Sequence, residues 1–264
     1  MNERDDGAAE TLVLLHGFGG TRHAWDQVIA HMDPQRYRPL TLDLPGHGEA
    51  ASDGGPITFE TCVDAVLAAS PERFALCGYS LGGRIALLVA LMAPERITRL
   101  ILVSSSPGIE ASAERARRRA ADQQIADDLE RAPFERFIER WRGQPLFADD
   151  PPAVSATVRE EQLRSQPQAL AAVMRNLGSG EMAPMWSRLE ELKMPVSIVV
   201  GERDTKFVAL GRRMQRMLTQ AELTIAPGGH RLPLESPRAL AAAFAPSRSS
   251  SGRRVVEAGP DSRK

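Results

Sequence analysis

A serine, an acid and a histidine occur along this chain in an order that supports nucleophilic or base catalysis. Ser80 lies at the centre of a G-x-S-x-G motif over residues 78–82, between an apolar run and a helical pattern. On a tight strand-to-helix turn such a serine is strained and its hydroxyl is exposed, while the glycines avoid collisions with neighbouring backbone. We therefore predict that Ser80 is the reactive hydroxyl of an enzyme.

The acid and the histidine each follow a further apolar run, at Asp204 and His230. Both loops leave the carboxyl ends of predicted strands, which is the edge where open α/β sheets build their sites. In the order serine, acid, histidine, His230 would accept the Ser80 proton while Asp204 fixes the tautomer of the imidazole. Glu202 lies in the same loop as Asp204 and is the alternative acid.

A glycine-rich stretch, LHGFGG over residues 15–20, follows the first apolar run. Its glycines allow backbone N–H groups to point into a cleft, so the amides of Phe18 and Leu81 are the expected donors to an oxyanion. A plain glycine-rich turn is the alternative. We expect His16 to bond backbone beside this loop.

Two arginines stand where an unpaired cation is costly. Arg84 follows Ser80 by one helical turn, where a cation opposes the helix macrodipole, so we interpret it as a ligand for a substrate anion. On a predicted helix Arg118 shares a stripe with Asp122, Ile125 and Leu129, which turns it towards the buried side. A surface ion pair between Arg118 and Asp122 is the alternative for this second arginine.

The elements that must position these residues alternate between strand and helix. Helical patterns cover Arg22–His31, Phe59–Ala69 and Leu81–Ala93. The strands are predicted at Thr11–Leu15, Tyr37–Leu42, Phe74–Cys77, Ile97–Val103, Pro195–Val200 and Leu223–Ile225. Continuously apolar strands that alternate with helices predict an α/β fold, with a mostly parallel central sheet covered on both faces.

The alternation of strands and helices is interrupted once along the chain. We predict an α/β core over residues 1–107 and 189–246, a helical cap inserted at 108–188, and a disordered tail at 247–264 that is rich in Ser, Arg and Gly.

Composition excludes several classes of partner. The 264 residues carry a formal net charge of −1, which gives no reason to expect nucleic acid or an anionic membrane. No apolar run approaches the length of a membrane span, and the N-terminal residues do not resemble a signal peptide. The two cysteines, Cys62 and Cys77, fit neither a metal site nor an oxidising compartment, so we expect a cytoplasmic protein without a metal.

Several longer stretches of the sequence are more specific to one family than the serine, acid and histidine are. They are GYSLGGRIAL (78–87), LILVSSSPGI (100–109), the Arg-rich segment around Arg118, WRGQPLFA (141–148), GERDTKF (201–207) and GGH (228–230). Together they resemble the 2-succinyl-6-hydroxy-2,4-cyclohexadiene-1-carboxylate synthases of menaquinone biosynthesis, a branch of the α/β-hydrolase superfamily. The resemblance covers most of the chain between residues 11 and 235.

That resemblance implies a lyase that eliminates pyruvate from 2-succinyl-5-enolpyruvyl-6-hydroxy-3-cyclohexene-1-carboxylate. Ser80, activated by His230, would act as the base, and neither a metal nor an organic cofactor would be needed. A hydrolase of carboxylesters, thioesters or C–C bonds on the same fold is the alternative, because a serine base and a serine nucleophile need the same geometry.

The resemblance also implies contacts to a small polycarboxylate substrate. Its binding residues would be Tyr79, Arg84, Arg118, Trp141 and Arg164. Arg159 is the alternative to Arg164 as the third carboxylate ligand. Arg231 departs from the family pattern and places an extra cation beside His230 or at the pocket rim.

Overall fold

The apolar runs form one parallel sheet in the computed structural model, which describes residues 9–52, 55–244 and 256–257. The strands are β1 (Glu10–Leu15), β2 (Tyr37–Leu42), β3 (Phe74–Tyr79), β4 (Ile97–Val103), β5 (Val196–Gly201), β6 (Ala221–Ala226) and β7 (Val256–Glu257). Their order in the sheet is β2-β1-β3-β4-β5-β6-β7, and every pair is parallel. The order reverses between β1 and β3, and at such a switch point the loops diverge and open a crevice for a ligand.

The described part of the chain contains ten α-helices. They are α1 (Asp26–Ile29), α2 (Phe59–Ala69), α3 (Leu81–Met92), α4 (Ser112–Arg131), α5 (Phe134–Arg142), α6 (Pro152–Gln162), α7 (Pro167–Leu177), α8 (Thr205–Met217), α9 (Leu232–Glu235) and α10 (Pro237–Ala243). The predicted helix at Arg22–His31 is instead a 3₁₀ turn, Arg22–Trp25, followed by the short α1.

Apolar side chains of each strand alternate between two cores, one on each face of the sheet. In β1, Val13 and Leu15 pack on the face that also carries α2, α3 and α8, while Leu12 and Leu14 pack on the face of α1 and α10. Because both faces are covered, consecutive positions of strands such as β1 and β3 are apolar, rather than every second one. Both cysteines are free and buried, Cys62 in α2 and Cys77 in β3.

Four helices, α4 to α7, lie between β4 and β5, and no strand interrupts this fully described span. They form their own apolar cluster, with Leu129 and Phe137 among its buried members. The two ends of this insertion are bonded to each other, because Met185 N donates to Pro107 O at 2.7 Å and Trp186 Nε1 donates to Gly108 O at 2.8 Å. The division into core and cap at residues 108 and 188 stays a prediction.

The predicted tail at 247–264 lies outside the described residues except for Val256–Glu257. There the structure differs from the expected disorder, because these two residues form β7 beside β6. An edge strand leaves N–H and C=O groups unpaired, and an added strand satisfies them. No helix in the described ranges combines the length and the apolar character that crossing a bilayer requires.

Candidate active site

Ser80 sits on a sharp turn between β3 and α3, with backbone angles of φ 52° and ψ −108°. A non-glycine residue with positive φ costs roughly 1–3 kcal/mol and persists only where its surroundings enforce it. Here Ser80 N donates to Val103 O at 2.9 Å, and Gly82 N donates to His16 O at 3.1 Å. The strained serine that the motif predicts is therefore present.

The two glycines of the motif stand where backbone segments touch. A Cβ atom added at Gly82 would overlap the carbonyl groups of Leu15 and His16, and one added at Gly78 would overlap Gly82 itself. The turn can therefore lie against the end of β1 only without side chains at these positions.

The structure brings the serine, the histidine and the aspartate into one hydrogen-bonded chain. His230 Nε2 lies 3.1 Å from Ser80 Oγ, and His230 Nδ1 lies 2.6 Å from Asp204 Oδ2. The carboxylate accepts a hydrogen bond from Nδ1–H, so Nε2 carries the lone pair that faces the serine hydroxyl. Asp204 also caps the first turn of α8, where Phe207 N donates to its Oδ1 at 3.4 Å.

Glu202, the alternative acid, does not share this arrangement. Its side chain is exposed, whereas Asp204 is 5% exposed. Its backbone amide continues the pairing of the loop with Ala226. The structure therefore places only Asp204 of these two acids behind His230.

Aromatic rings surround the imidazole. The centroid of His230 lies 4.7 Å from that of Phe207, 5.5 Å from Tyr79 and 5.9 Å from Phe147. These rings keep water from the buried imidazole and hold its orientation. Burial raises the pKa of the Tyr79 phenol, so this wall of the pocket stays neutral.

The predicted oxyanion donors, Phe18 and Leu81, both line the pocket beside Ser80. Leu81 begins α3, where the helix dipole favours negative charge. The loop of Phe18 is held from behind as predicted, because His16 Nδ1 donates to Gly17 O at 2.8 Å while His16 Nε2 accepts from Leu44 N at 3.0 Å. Burial lowers the pKa of His16 to about 4, which keeps it in the neutral form that both bonds require.

The pocket above Ser80 has a volume of about 420 Å³. All but two of the residues that the sequence assigned to the site lie at its surface. These are Phe18, Tyr79, Ser80, Leu81, Arg84, Arg118, Trp141 and His230 at the pocket surface, with Asp204 behind the histidine. A volume of this size suits a small organic substrate.

Arg84 is a partly buried cation in the first turn of α3. Its Nη1 donates to Leu177 O at 2.7 Å, and its guanidinium lies 5.8 Å from the ring centroid of Phe59. In the described part of the chain no carboxylate pairs with it. Burial, and secondarily the charge of Arg118, lower the pKa of Arg84 to about 10, so it remains protonated at neutral pH.

Arg118 combines features of both interpretations. Its Nε pairs with Asp122 Oδ1 at 2.7 Å, which is the predicted i,i+4 pair. Asp122 is buried, however, and its Oδ2 accepts from Gly180 N at 3.1 Å. Arg118 lines the pocket, while its neighbours Arg117 and Arg119 are exposed. The ion pair with Asp122 therefore orients the Arg118 side chain at the pocket and is not a simple surface contact.

Trp141 both packs and lines the pocket. Its ring lies 4.9 Å from that of Phe18, 5.9 Å from Phe137 and 6.0 Å from Phe147. The indole thus connects the helical insertion to the loop of Phe18, the predicted oxyanion donor.

Arg164 is not brought to the pocket, contrary to what the resemblance implies. It is exposed in the turn that follows α6, and the alternative, Arg159, pairs instead with Glu139 at 2.9 Å. The inner face of α6 carries Val158 and Gln162, and the turn after Gln162 directs Arg164 to solvent. Neither arginine lines the pocket.

Several polar residues that line the pocket were not predicted from the sequence. Glu161 and Gln162, at the end of α6, line it, and Glu161 accepts hydrogen bonds from the amide and hydroxyl of Thr21. The spacing of Val158 and Gln162 by four residues marks that inner face and could have indicated them. Among the described residues no group of three or more His, Cys, Asp or Glu side chains could hold a metal ion.

Comparison with known proteins agrees with this geometry. A model of the alpha/beta hydrolase family matches residues 12–243. A Bacillus subtilis protein named putative 2-succinyl-6-hydroxy-2,4-cyclohexadiene-1-carboxylate synthase is 33% identical, over 88% of this chain and 87% of its own. The synthase of the same name from Enterobacter sp. is 34% identical, over 89% of this chain and 90% of its own.

A solved structure, that of MenH from S. aureus, superimposes with a TM-score of 0.83 at 31% identity. The match covers 91% of this chain and 94% of that one. These relatives confirm the resemblance that the sequence motifs indicated. The chain belongs to the alpha/beta hydrolase family.

Proposed function

We propose that this chain is a lyase that eliminates pyruvate from 2-succinyl-5-enolpyruvyl-6-hydroxy-3-cyclohexene-1-carboxylate, yielding 2-succinyl-6-hydroxy-2,4-cyclohexadiene-1-carboxylate. The observation that carries the proposal is Arg84, a desolvated cation one helical turn from Ser80 with no carboxylate partner in the described chain. The similarity to synthases that carry this name supports the same assignment.

A desolvated cation is unfavourable in the free protein and favourable once an anion binds beside it. Arg84 and Arg118 are close enough for the charge of one to lower the pKa of the other, and both line the pocket. Such a pair fits a substrate with more than one carboxylate. A short neutral ester would leave both cations without an anion.

In the proposed mechanism Ser80 and His230 act together as the base. His230 Nε2 takes the hydroxyl proton as Ser80 Oγ removes the ring proton α to the succinyl ketone. Asp204 stabilises the imidazolium that forms. The amides of Phe18 and Leu81 donate to the ketone oxygen as it gains negative charge.

The electron pair of the broken C–H bond at ring carbon C2 forms a C2=C3 double bond, the existing C3=C4 double bond shifts to C4=C5, and the C5–O bond to the enolpyruvyl group breaks. The departing enolate of pyruvate takes up one proton, and the imidazolium of His230 supplies it, so Ser80 and His230 return to their starting states. No water is consumed. The buried aromatic surroundings of His230 agree with a step from which water is excluded.

The test is to supply the substrate and measure pyruvate continuously, together with the diene chromophore. We expect pyruvate and diene in equal amounts, and a kcat/KM far above that for p-nitrophenyl acetate in the same preparation. If the ester is the better substrate, or if pyruvate appears no faster than spontaneously, the protein is a hydrolase of the same fold. The cytoplasmic location stays a prediction.

A further inference from the structure

We propose that Arg231, paired with Asp150, binds one carboxylate of the substrate, separately from Arg84 and Arg118. The proposal rests on the proposed function, because it concerns the same polycarboxylate substrate. The arginine directly follows His230 and lines the same pocket. It would take the part that the family resemblance gives to Arg164, which the structure leaves exposed.

The first support is the burial of Arg231 with unused donors. Arg231 is 7% exposed, and its Nη2 is closed off from solvent without a hydrogen-bond partner. In the described chain its only ion pair runs through Nε, which lies 2.6 Å from Asp150 Oδ2. A buried charged donor without a partner is uncommon in native proteins and points to a ligand that supplies one.

The second support is how the guanidinium is held. Its Cζ lies 3.8 Å from the ring centroid of Phe147, whose ring is also 5.9 Å from that of His230. Stacking satisfies the flat face of a guanidinium but leaves the N–H groups of its edge free, and these match the geometry of a carboxylate. Phe147 therefore orients the guanidinium of Arg231 without occupying its N–H donors.

The role of Asp150 follows from the same geometry. A buried cation alone is strongly unfavourable, and a partner that contacts only Nε stabilises it while Nη2 keeps its donors unpaired. Asp150 belongs to the helical insertion, and its carboxylate is itself 6% exposed. Asp150 thus stabilises the buried cation in the free protein, and Arg231 makes the contact with the substrate.

The test compares the two halves of the pair in the pyruvate-release assay. Arg231→Gln should lower kcat/KM by roughly 10- to 100-fold, the scale of one charged hydrogen bond, mainly through KM. Asp150→Asn should leave KM within about threefold, because the cation remains, while lowering the melting temperature. Arg231→Lys should recover only part of the loss, since an ammonium lacks the planar fork.

The double variant Asp150→Asn/Arg231→Gln removes the problem of a lone buried carboxylate and keeps the test valid if Arg231→Gln folds poorly. If the pair is purely structural, the double variant should regain the normal KM. If Arg231 binds the substrate, the double variant should have the same high KM as Arg231→Gln. Arg175→Gln is the matched control, because Arg175 also bridges two elements, through Asp127 and Glu130, but does not line the pocket.

Normal KM in the double variant, or equal effects of both single variants on KM, would overturn the assignment. So would a loss of substrate binding in Arg164→Gln that Arg231→Gln does not share. These outcomes leave the lyase function intact as long as the unaltered protein releases pyruvate. Absence of pyruvate from the unaltered protein overturns both proposals.

Discussion

Replacing Arg84 by methionine should change activity and stability in different directions. The pKa of Arg84 falls from the usual 12.5 to about 10, which corresponds to roughly 3 kcal/mol of cost for keeping the charge in the free pocket. Loss of the hydrogen bond to Leu177 O offsets about 1.5–3 kcal/mol of that gain. The melting temperature of Arg84→Met should therefore stay equal or rise by up to about 4 °C.

Activity should fall in the same variant. A charged hydrogen-bonded contact with a carboxylate contributes about 2–3 kcal/mol, so kcat/KM for pyruvate release should drop roughly 30- to 150-fold. The assay is the initial rate of pyruvate release over a range of substrate concentrations, with calorimetric melting of the same samples.

Arg96→Met is the matched control for this experiment. Arg96 also donates to backbone carbonyls, Ser70 O at 3.0 Å among them, and lies 5.6 Å from the ring centroid of Phe74, but it is outside the pocket. The Arg96→Met variant should be less stable than the unaltered protein but should release pyruvate at the same rate. If Arg84→Met instead behaves like Arg96→Met, destabilised and fully active, Arg84 is structural and the anion site is wrongly assigned.

Two further predictions concern the hydrogen-bonded chain of the site. Ser80→Ala and His230→Ala should each lower kcat by roughly 100- to 10,000-fold with an unchanged circular dichroism spectrum, and near-normal turnover by folded Ser80→Ala would rule out the serine. Asp204→Asn should reduce kcat by about 10,000-fold, because the imidazole is then held in the wrong tautomer. Its control, Glu202→Gln, should be nearly as active as the unaltered protein, and the reverse result would transfer the acid role to Glu202.

Much of the fold was predictable because the strands are buried on both sides. A strand such as β4, apolar along most of its length, admits few other interpretations once glycines and helical patterns flank it, and its predicted bounds, Ile97–Val103, agree with the structure. The segment at Arg22–His31 was less predictable. Its polar residues allow several kinds of turn, and tertiary contacts decide between a 3₁₀ turn and a longer helix.

The site was predictable where local sequence dictates backbone geometry and less so where side-chain direction depends on packing. The strained turn at Ser80 needs its glycines, and the sequence shows them. The direction of Arg164 depends on where α6 ends, and helix ends are the least certain part of a sequence-based prediction. The buried state of Asp122 likewise depends on its bond to Gly180, 58 residues later in the chain.

The bonded ends of the helical insertion have a consequence for how such enzymes diversify. Since β4 and β5 are neighbours in the sheet and Pro107 and Met185 are hydrogen-bonded, the chain leaves and re-enters the core at almost one place. The register of the sheet is then insensitive to the length and content of what lies between. A recombined gene could therefore exchange the part of the pocket wall that carries Arg118 and Trp141, while the serine, histidine and aspartate, all outside the insertion, stay in position.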